Sequence, residues 1–269
     1  TAAEFLSLCR HFAGEDDLNV WQAISTGLHG LDRLVDDDTR PTLQAAVREL
    51  AEPILAAVGS EPGVDDDDRT RELRATLVRV LGTVGGSHTV IASAAEALDH
   101  DASLAAAALT VMSHNGGEDE YDTVHDRWQS ADDPQGEIRN LRALANFPSV
   151  ELVDQLLTEI SHGSVRTQDA PYVLARAMHN RFVDRYVWAY VRDNWADLDG
   201  RFPSNSIPRM LSGITALDEP DLVAEVADFL ANHPIPQAGK QVEQHLERQA
   251  INARLRGREH ERFSRSLRS

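Results

Sequence analysis

A single cysteine, Cys9, and a single lysine, Lys240, stand in a chain of 269 residues. One cysteine excludes an internal disulfide framework and suits a reducing compartment. No apolar run approaches the roughly 20 residues that a membrane-spanning helix requires. The opening TAAEFLSLCRHF also lacks the layout of a secretory signal. The expectation is a cytoplasmic protein with no membrane partner. Catalytic signatures are missing as well. There is no HExxH helix, and His260-Glu261-Arg262-Phe263-Ser264 puts serine where the second zinc ligand would stand. Paired cysteines, a GxSxG elbow and a phosphate-cradling glycine loop are absent, and Gly85-Gly86 and Gly116-Gly117 read as helix ends. Of the 11 histidines, His162, His179 and His245 are the candidates for convergence on a metal. Scattered histidines more often lie at the surface or the edge of a core. No catalysis, metal or cofactor is expected of this chain by itself.

Positive charge is scarce. Lys and Arg number 26 against 44 Asp and Glu, a net charge of −18, with runs at Asp36 to Asp38 and Asp65 to Asp68. Such a balance argues against a nucleic-acid partner, whose binding needs a basic footprint. The acidic runs lack the alternating ligand layout of a calcium loop and read as solvated faces. Excess acid with one lysine also suits a salt-rich interior, where screening relieves self-repulsion; a genome that favours Arg and Asp codons is the other source of such a balance. On the salt reading, the melting temperature should rise in molar salt, and a flat response would count against it. Arginine gathers at the end of the chain, at Arg248, Arg254, Arg256, Arg258, Arg262, Arg265 and Arg268. That strip serves either to dock an acidic partner or to balance charge internally.

What is present almost everywhere is helical periodicity. The first segment, about 2–12, puts Phe5, Leu8, Cys9 and Phe12 on one face. Asn19 is the expected cap of a helix carrying Val20, Ile24, Leu28, Leu31 and Val35. Thr39 is the expected cap of the next, with Pro41 in its first turn, a kink at Pro53 and a stop at Gly59. Helical patterns follow at 69–84, 88–98, 102–113, 118–129, 135–146, 150–160, 170–179, 183–198, 207–214 and 221–232. Asp169 or Thr167 is the expected cap at 170, and Asp218 at 221, before a long terminal helix from Gly239. These form hairpins of roughly 30–35 residues, the spacing of a HEAT- or armadillo-like α-solenoid. The expected fold is all-α, a superhelical array of antiparallel helix pairs, with residues 1–269 as one domain.

Aromatic residues make up only 6% of the chain, yet they crowd into Ser164 to Ile214 as Tyr172, Phe182, Tyr186, Trp188, Tyr190, Trp195 and Phe202. Trp188 and Trp195 are seven apart and share a helix face with Val191, so a core seam accounts for them. Arg166, Gln168 and Asp169 fall at a helix start, where Asp caps without any ligand. A helix N-terminus also receives carboxylates, which Arg binds through two hydrogen bonds.

This stretch resembles the C-terminal helical domain of the zinc aminopeptidases, the family of aminopeptidase N, puromycin-sensitive aminopeptidase and the endoplasmic-reticulum antigen-trimming enzymes. The resemblance rests on VRTQDAPYVLARAMHNR, YVWAYVRDNWADLDGRF, IPRMLSGITALDEPDLVAEVADFLANHP and QVEQHLERQAINARL. It extends upstream through EDDLNVWQAI, RELRATLVRVLG and DPQGEIRNLRALANFPSVELVDQLL, all in family order. It implies a multidomain enzyme in which zinc sits in a separate upstream catalytic domain. The helical domain would close the active-site chamber and limit which peptides enter. The partners implied are that upstream domain and peptide substrates. By this resemblance the chain is an excised C-terminal domain lacking its first helices. Arg166, Gln168, Asp169, Tyr172, Asn180 and Arg181 are the expected chamber-lining or domain-docking positions. The rival expectation is a free-standing helical scaffold that binds proteins on its concave face.

Overall fold

The computed structural model describes residues 1–268, with Gln237 described by its backbone alone. Among the described residues there are α-helices and 3-10 turns and no strand, so the chain is all-α. The first helices are α1 (Ala2–Arg10), α2 (Leu18–Asp32), α3 (Arg40–Val58), α4 (Asp68–Thr83), α5 (His88–Ala92) and α6 (Ala102–Asn115). Then come α7 (Glu118–Gln129), α8 (Pro134–Leu144), α9 (Val150–His162), α10 (Ala170–His179) and α11 (Asp184–Asp193). The last are α12 (Trp195–Arg201), α13 (Ile207–Met210), α14 (Pro220–Asn232) and α15 (Gly239–Leu267). Two compact units result. One comprises Thr1–Asn115 and Arg258–Ser269, the other Gly116–Gly257.

In the first unit α4 is central, with α2, α3, α5 and α6 packed against it. Leu73, Leu77, Val80 and Leu81 bury its stripe. Gly82 lets α6 approach closely, because a Cβ there would lie 2.4 Å from Val111 Cγ2. The start of α1 is held by Glu259, a buried carboxylate that accepts the Ala2 N–H at 3.0 Å. That hydrogen bond is the main reason its carboxyl lies below the usual range.

Several expected details shift. In α1 the buried face is Ala2, Leu6 and Cys9, while Leu8 and Phe12 are exposed at 53% and 37%. A nine-residue helix makes under three turns, so its apolar positions fit two registers. Asp17, not Asn19, caps α2, accepting the N–H groups of Asn19 at 2.8 Å and Val20 at 3.3 Å. Thr39 stands at the head of α3, but its hydroxyl donates backwards to Asp36 O at 3.3 Å instead of capping. Helix α3 continues through Pro53, and Gly59 ends it at φ 87°. The expected helix over 88–98 is α5 followed by a 3-10 turn at Glu96–Asp99, and that over 207–214 is α13 followed by a second at Leu211–Ala216. The pattern over 183–198 is broken at Asn194 into α11 and α12. Glu219, not Asp218, occupies the N-cap of α14, where Pro220 takes the first turn.

In the second unit α8, α11, α13 and the 3-10 turn Leu211–Ala216 pack on α10. Trp188 and Trp195 both meet Phe229 of α14 edge to face, at 5.4 and 5.3 Å between ring centres. The expected core seam is there, and its counterpart is α14. Side-chain hydrogen bonds between helix pairs recur at similar sequence separations: 33 for Asn115 to Gly82, 34 for His125 to Glu159, 30 for Arg176 to Asn146 and 37 for Trp188 to Glu225. Each of these bonds joins residues within one of the two units.

Helix α15 is fastened within this unit by amide donors. Gln249 Nε2 reaches Leu217 O at 2.8 Å and Asn252 Nδ2 reaches Thr215 O at 2.8 Å. One turn earlier, His245 Nε2 lies 3.0 Å from Pro208 O, and partial burial pushes its pKa below the ordinary 6.5. The unfolded chain then takes up this proton at a higher pH than the folded one does. Stability from a neutral His245 is therefore complete above about pH 6.5 and lost as pH falls through the depressed folded value. Melting temperature measured against pH should begin to decline below about pH 6.5 in the native chain. His245→Gln, which keeps a donor for Pro208, should remove that first decline; identical profiles would count against it.

Candidate functional site

The sequence between α9 and α10 turns sharply because Gly163 ends α9 in the left-handed region, at φ 81° and ψ 14°. Ser164 N–H closes the turn by donating to Glu159 O at 3.0 Å. Val165 is buried and anchors the segment. A second turn follows, in which the Asp169 and Ala170 N–H groups both donate to Arg166 O, at 2.9 and 3.0 Å. Pro171 then sits in the first turn of α10, where its missing N–H costs nothing.

The six expected positions fall along this turn, the helix and its end. One terminal nitrogen of Arg166 donates to both carboxylate oxygens of Glu137 on α8, at 2.8 and 2.7 Å, and the Arg166 side chain stays 57% exposed. Gln168 is exposed. Asp169 occupies the N-cap of α10, yet its carboxylate makes no capping bond. The Tyr172 ring lies 5.8 Å beneath the Arg142 guanidinium and is itself exposed. Asn180 is committed to structure: its amide donates to Ala145 O at 3.1 Å and Phe147 O at 2.8 Å, while its oxygen accepts the Phe182 N–H. Arg181 stacks on the exposed Phe182 ring at 3.9 Å.

Arg166, Tyr172 and Asn180 meet α8 or the residues just after it along one seam. Gln168 and Asp169 stand at the start of α10, and Arg181 lies on Phe182 beyond its end. Tyr172, Arg176 and Asn180 recur every four residues on one face of α10. They meet Arg142, Asn146 and the carbonyls just past α8, with Arg176 Nε donating to Asn146 Oδ1 at 2.9 Å. Glu137, Arg142, Asn146 and Arg176 were not among the expected site residues. The signal that points to Arg176 is the four-residue spacing; the other three lie about one hairpin upstream. The seam presents guanidinium groups beside exposed aromatic rings, which suits a carboxylate or a peptide's aromatic side chain. It contains no nucleophile with an adjacent base.

Among the described residues no three His, Cys, Asp or Glu come together as a metal-holding group. His179 Nδ1 faces its own helix at Ala175 O, and His245 Nε2 faces Pro208 O. Among the described residues no helix is long and apolar enough to cross a membrane.

An all-α chain with this α8–α10 seam has relatives. Residues 1–251 match the ERAP1-like C-terminal domain. The chain belongs to that family. It is similar to the alanine/arginine aminopeptidase of Saccharomyces cerevisiae, 24% identical over 81% of this chain and 26% of the yeast protein. It also resembles aminopeptidase A of Gloydius brevicauda, at 23% over 88% of the chain and 26% of that protein. Aminopeptidase M1-C of Oryza sativa subsp. japonica is 25% identical over 94% of the chain and 31% of its own length. This ERAP1-like C-terminal domain thus spans about a quarter to a third of the curated relatives it matches.

Proposed function

We propose that this ERAP1-like C-terminal domain is the non-catalytic part of a zinc aminopeptidase, closing the chamber in which peptides lose their N-terminal residues and governing which peptides enter. The observation that carries the reading is the family match over residues 1–251 together with relatives that are aminopeptidases. The α8–α10 seam supports it chemically. Arg166 is more than half exposed and holds only Glu137, so a substrate carboxylate can exchange for that partner at little cost. Arg142 over Tyr172 and Arg181 over Phe182 supply cationic and aromatic surface nearby. On this reading Arg166, Gln168, Asp169, Tyr172 and Arg181 face peptide or the neighbouring catalytic domain, and Asn180 positions the loop that presents Arg181. Zinc would be held by the catalytic domain, since among the described residues of this chain no three ligand side chains come together. The regular 30–37-residue bond separations support a HEAT-like stack of helix pairs, and the charge of −18 supports a salt-rich cytoplasm.

The test uses the complete enzyme. Arg166→Ala combined with Arg181→Ala should lower kcat/KM for peptides of about ten residues by roughly ten-fold, the worth of one charge-assisted hydrogen bond. Hydrolysis of a single-residue aminoacyl reporter should be unchanged. Equal kcat/KM across all peptide lengths would defeat the assignment of these residues. The isolated chain should not hydrolyse the reporter even with zinc added, and turnover there would defeat the non-catalytic reading itself.

A further inference from the structure

Helix α15 is anchored in the second unit by one side only. His245, Gln249 and Asn252 face the carbonyls of Pro208, Leu217 and Thr215, and Arg256 lies 3.7 Å from Asp218 and 3.6 Å from Glu219. From Gln244 to Leu255 the exposed positions are Gln244, Glu247, Arg248, Ile251, Arg254 and Leu255. Ile251 and Leu255 are one helical turn apart and expose 43% and 40% of their surface. Arg248 and Arg254 flank them, and Arg254 donates only to its own helix, at Ala250 O, 3.2 Å away. The sequence continues the same helical period with Arg258, Arg262 and Arg265. A chain carrying −18 therefore displays one helix face on which guanidinium groups outnumber carboxylates and enclose two apolar side chains.

Internal charge balance does not explain that composition. Arg256 balances charge on the anchored side and Arg258 pairs with the neighbouring Glu259 at 3.0 Å, but a balancing strip has no use for exposed Ile251 and Leu255 flanked by Arg248 and Arg254. The net negative charge repels acidic partners from the remainder of the surface, so the same charge that disfavours general contact makes this strip selective. We propose that the Arg248–Leu255 face of α15 docks an acidic amphipathic helix of a protein partner. Leucine-like residues at three- and four-residue spacing would cover Ile251 and Leu255, and flanking carboxylates would pair with Arg248 and Arg254. The 12 residues from Gln244 to Leu255 offer about 18 Å of helix, or three turns of the occupant.

The probe is a fluorescein-labelled 20-residue peptide with leucine at helical spacing and glutamate at the flanks, titrated with the chain and read by fluorescence anisotropy. Binding should weaken at least ten-fold in Arg248→Glu/Arg254→Glu and several-fold in Ile251→Asn. It should also weaken by about ten-fold between 50 and 500 mM salt. All three substituted side chains are exposed, so the melting temperature of each variant should stay within about 2 °C of the parent. Should charge reversal unfold the chain, Arg248→Gln/Arg254→Gln carries the same comparison. The proposal is overturned if the peptide fails to bind, if a glutamine-for-glutamate peptide binds equally, or if the variants bind as the parent does. It is also overturned if a single-stranded oligonucleotide binds this face more tightly. Sedimentation showing a dimer that Arg248→Glu/Arg254→Glu converts to monomer would assign the face to a second copy and overturn it equally.

Discussion

Trp188→Ala should destabilise the second unit by about 3–5 kcal/mol, the range for truncating a large buried aromatic residue. Trp188 is 1% exposed, meets Phe229 edge to face at 5.4 Å, and donates from Nε1 to Glu225 Oε1 at 2.9 Å. Truncation removes the apolar burial, opens a cavity beside Phe229 and deletes the hydrogen bond in one step. For a chain of this size each kcal/mol moves the melting temperature by roughly 2–4 °C, so a fall of about 10 °C is expected. Trp188→Phe separates the terms. It keeps most of the ring contact and loses the Nε1 donor, while Glu225 retains its pairing with Arg192. The loss should then be only about 1–2 kcal/mol. Calorimetry of the two variants checks both figures. A loss under about 1 kcal/mol for Trp188→Ala would mean that the α11–α14 seam does not hold the unit.

That seam was readable from the Trp188–Trp195 spacing, but its other half, Phe229 with His233 stacked on it at 4.1 Å, was not. Periodicity within one helix reveals which face is apolar and says nothing about which helix covers it. The same limit governs the candidate site. Arg166 stands out because helix-start chemistry is local and Tyr172 because it belongs to the aromatic cluster, whereas Asn180 is indicated by the family resemblance alone. Glu137, Arg142 and Asn146 do not, since each belongs to another helix and carries no local signal. All-α character was plain because the helical period persists along nearly the entire chain. Helix ends were less legible where two candidates compete: Asp17 and Asn19 are both capable caps, and only geometry shows that Asp17 receives the N–H groups. Over 183–198 the apolar stripe runs on through Asn194, where the backbone departs from the helix, so hydrophobic pattern alone joined α11 to α12.

Arg74→Ala should be the most damaging change in the first unit, costing about 3 kcal/mol or more. A −18 chain can replace most arginines cheaply, because exposed ion pairs contribute little. Arg74 differs in being 1% exposed within the stripe of α4. Its Nε donates to Gly59 O at 2.8 Å, and one terminal nitrogen donates to Val58 O at 3.2 Å and to Asp66 at 2.6 Å. One buried fork thus fastens the end of α3 and the acidic loop leading into α4. Asp66 completes the loop by accepting the Gly63 N–H at 2.7 Å, and that bond, then Arg74, holds its carboxyl below the usual range. Removing the guanidinium strands two carbonyls and a carboxylate at once, the situation in which breaking a buried pair is expensive. Arg74→Lys should rescue poorly, because a single ammonium cannot span donors to both carbonyls and the carboxylate in the guanidinium's fixed fork. Arg74→Met paired with Asp66→Asn should recover more, since neither charge is then left without its partner. The loop supplies a second readout. Limited proteolysis should cut between Gly59 and Asp67 in Arg74→Ala while the native chain resists, and equal resistance would show that the loop is held by its own turns and not by Arg74.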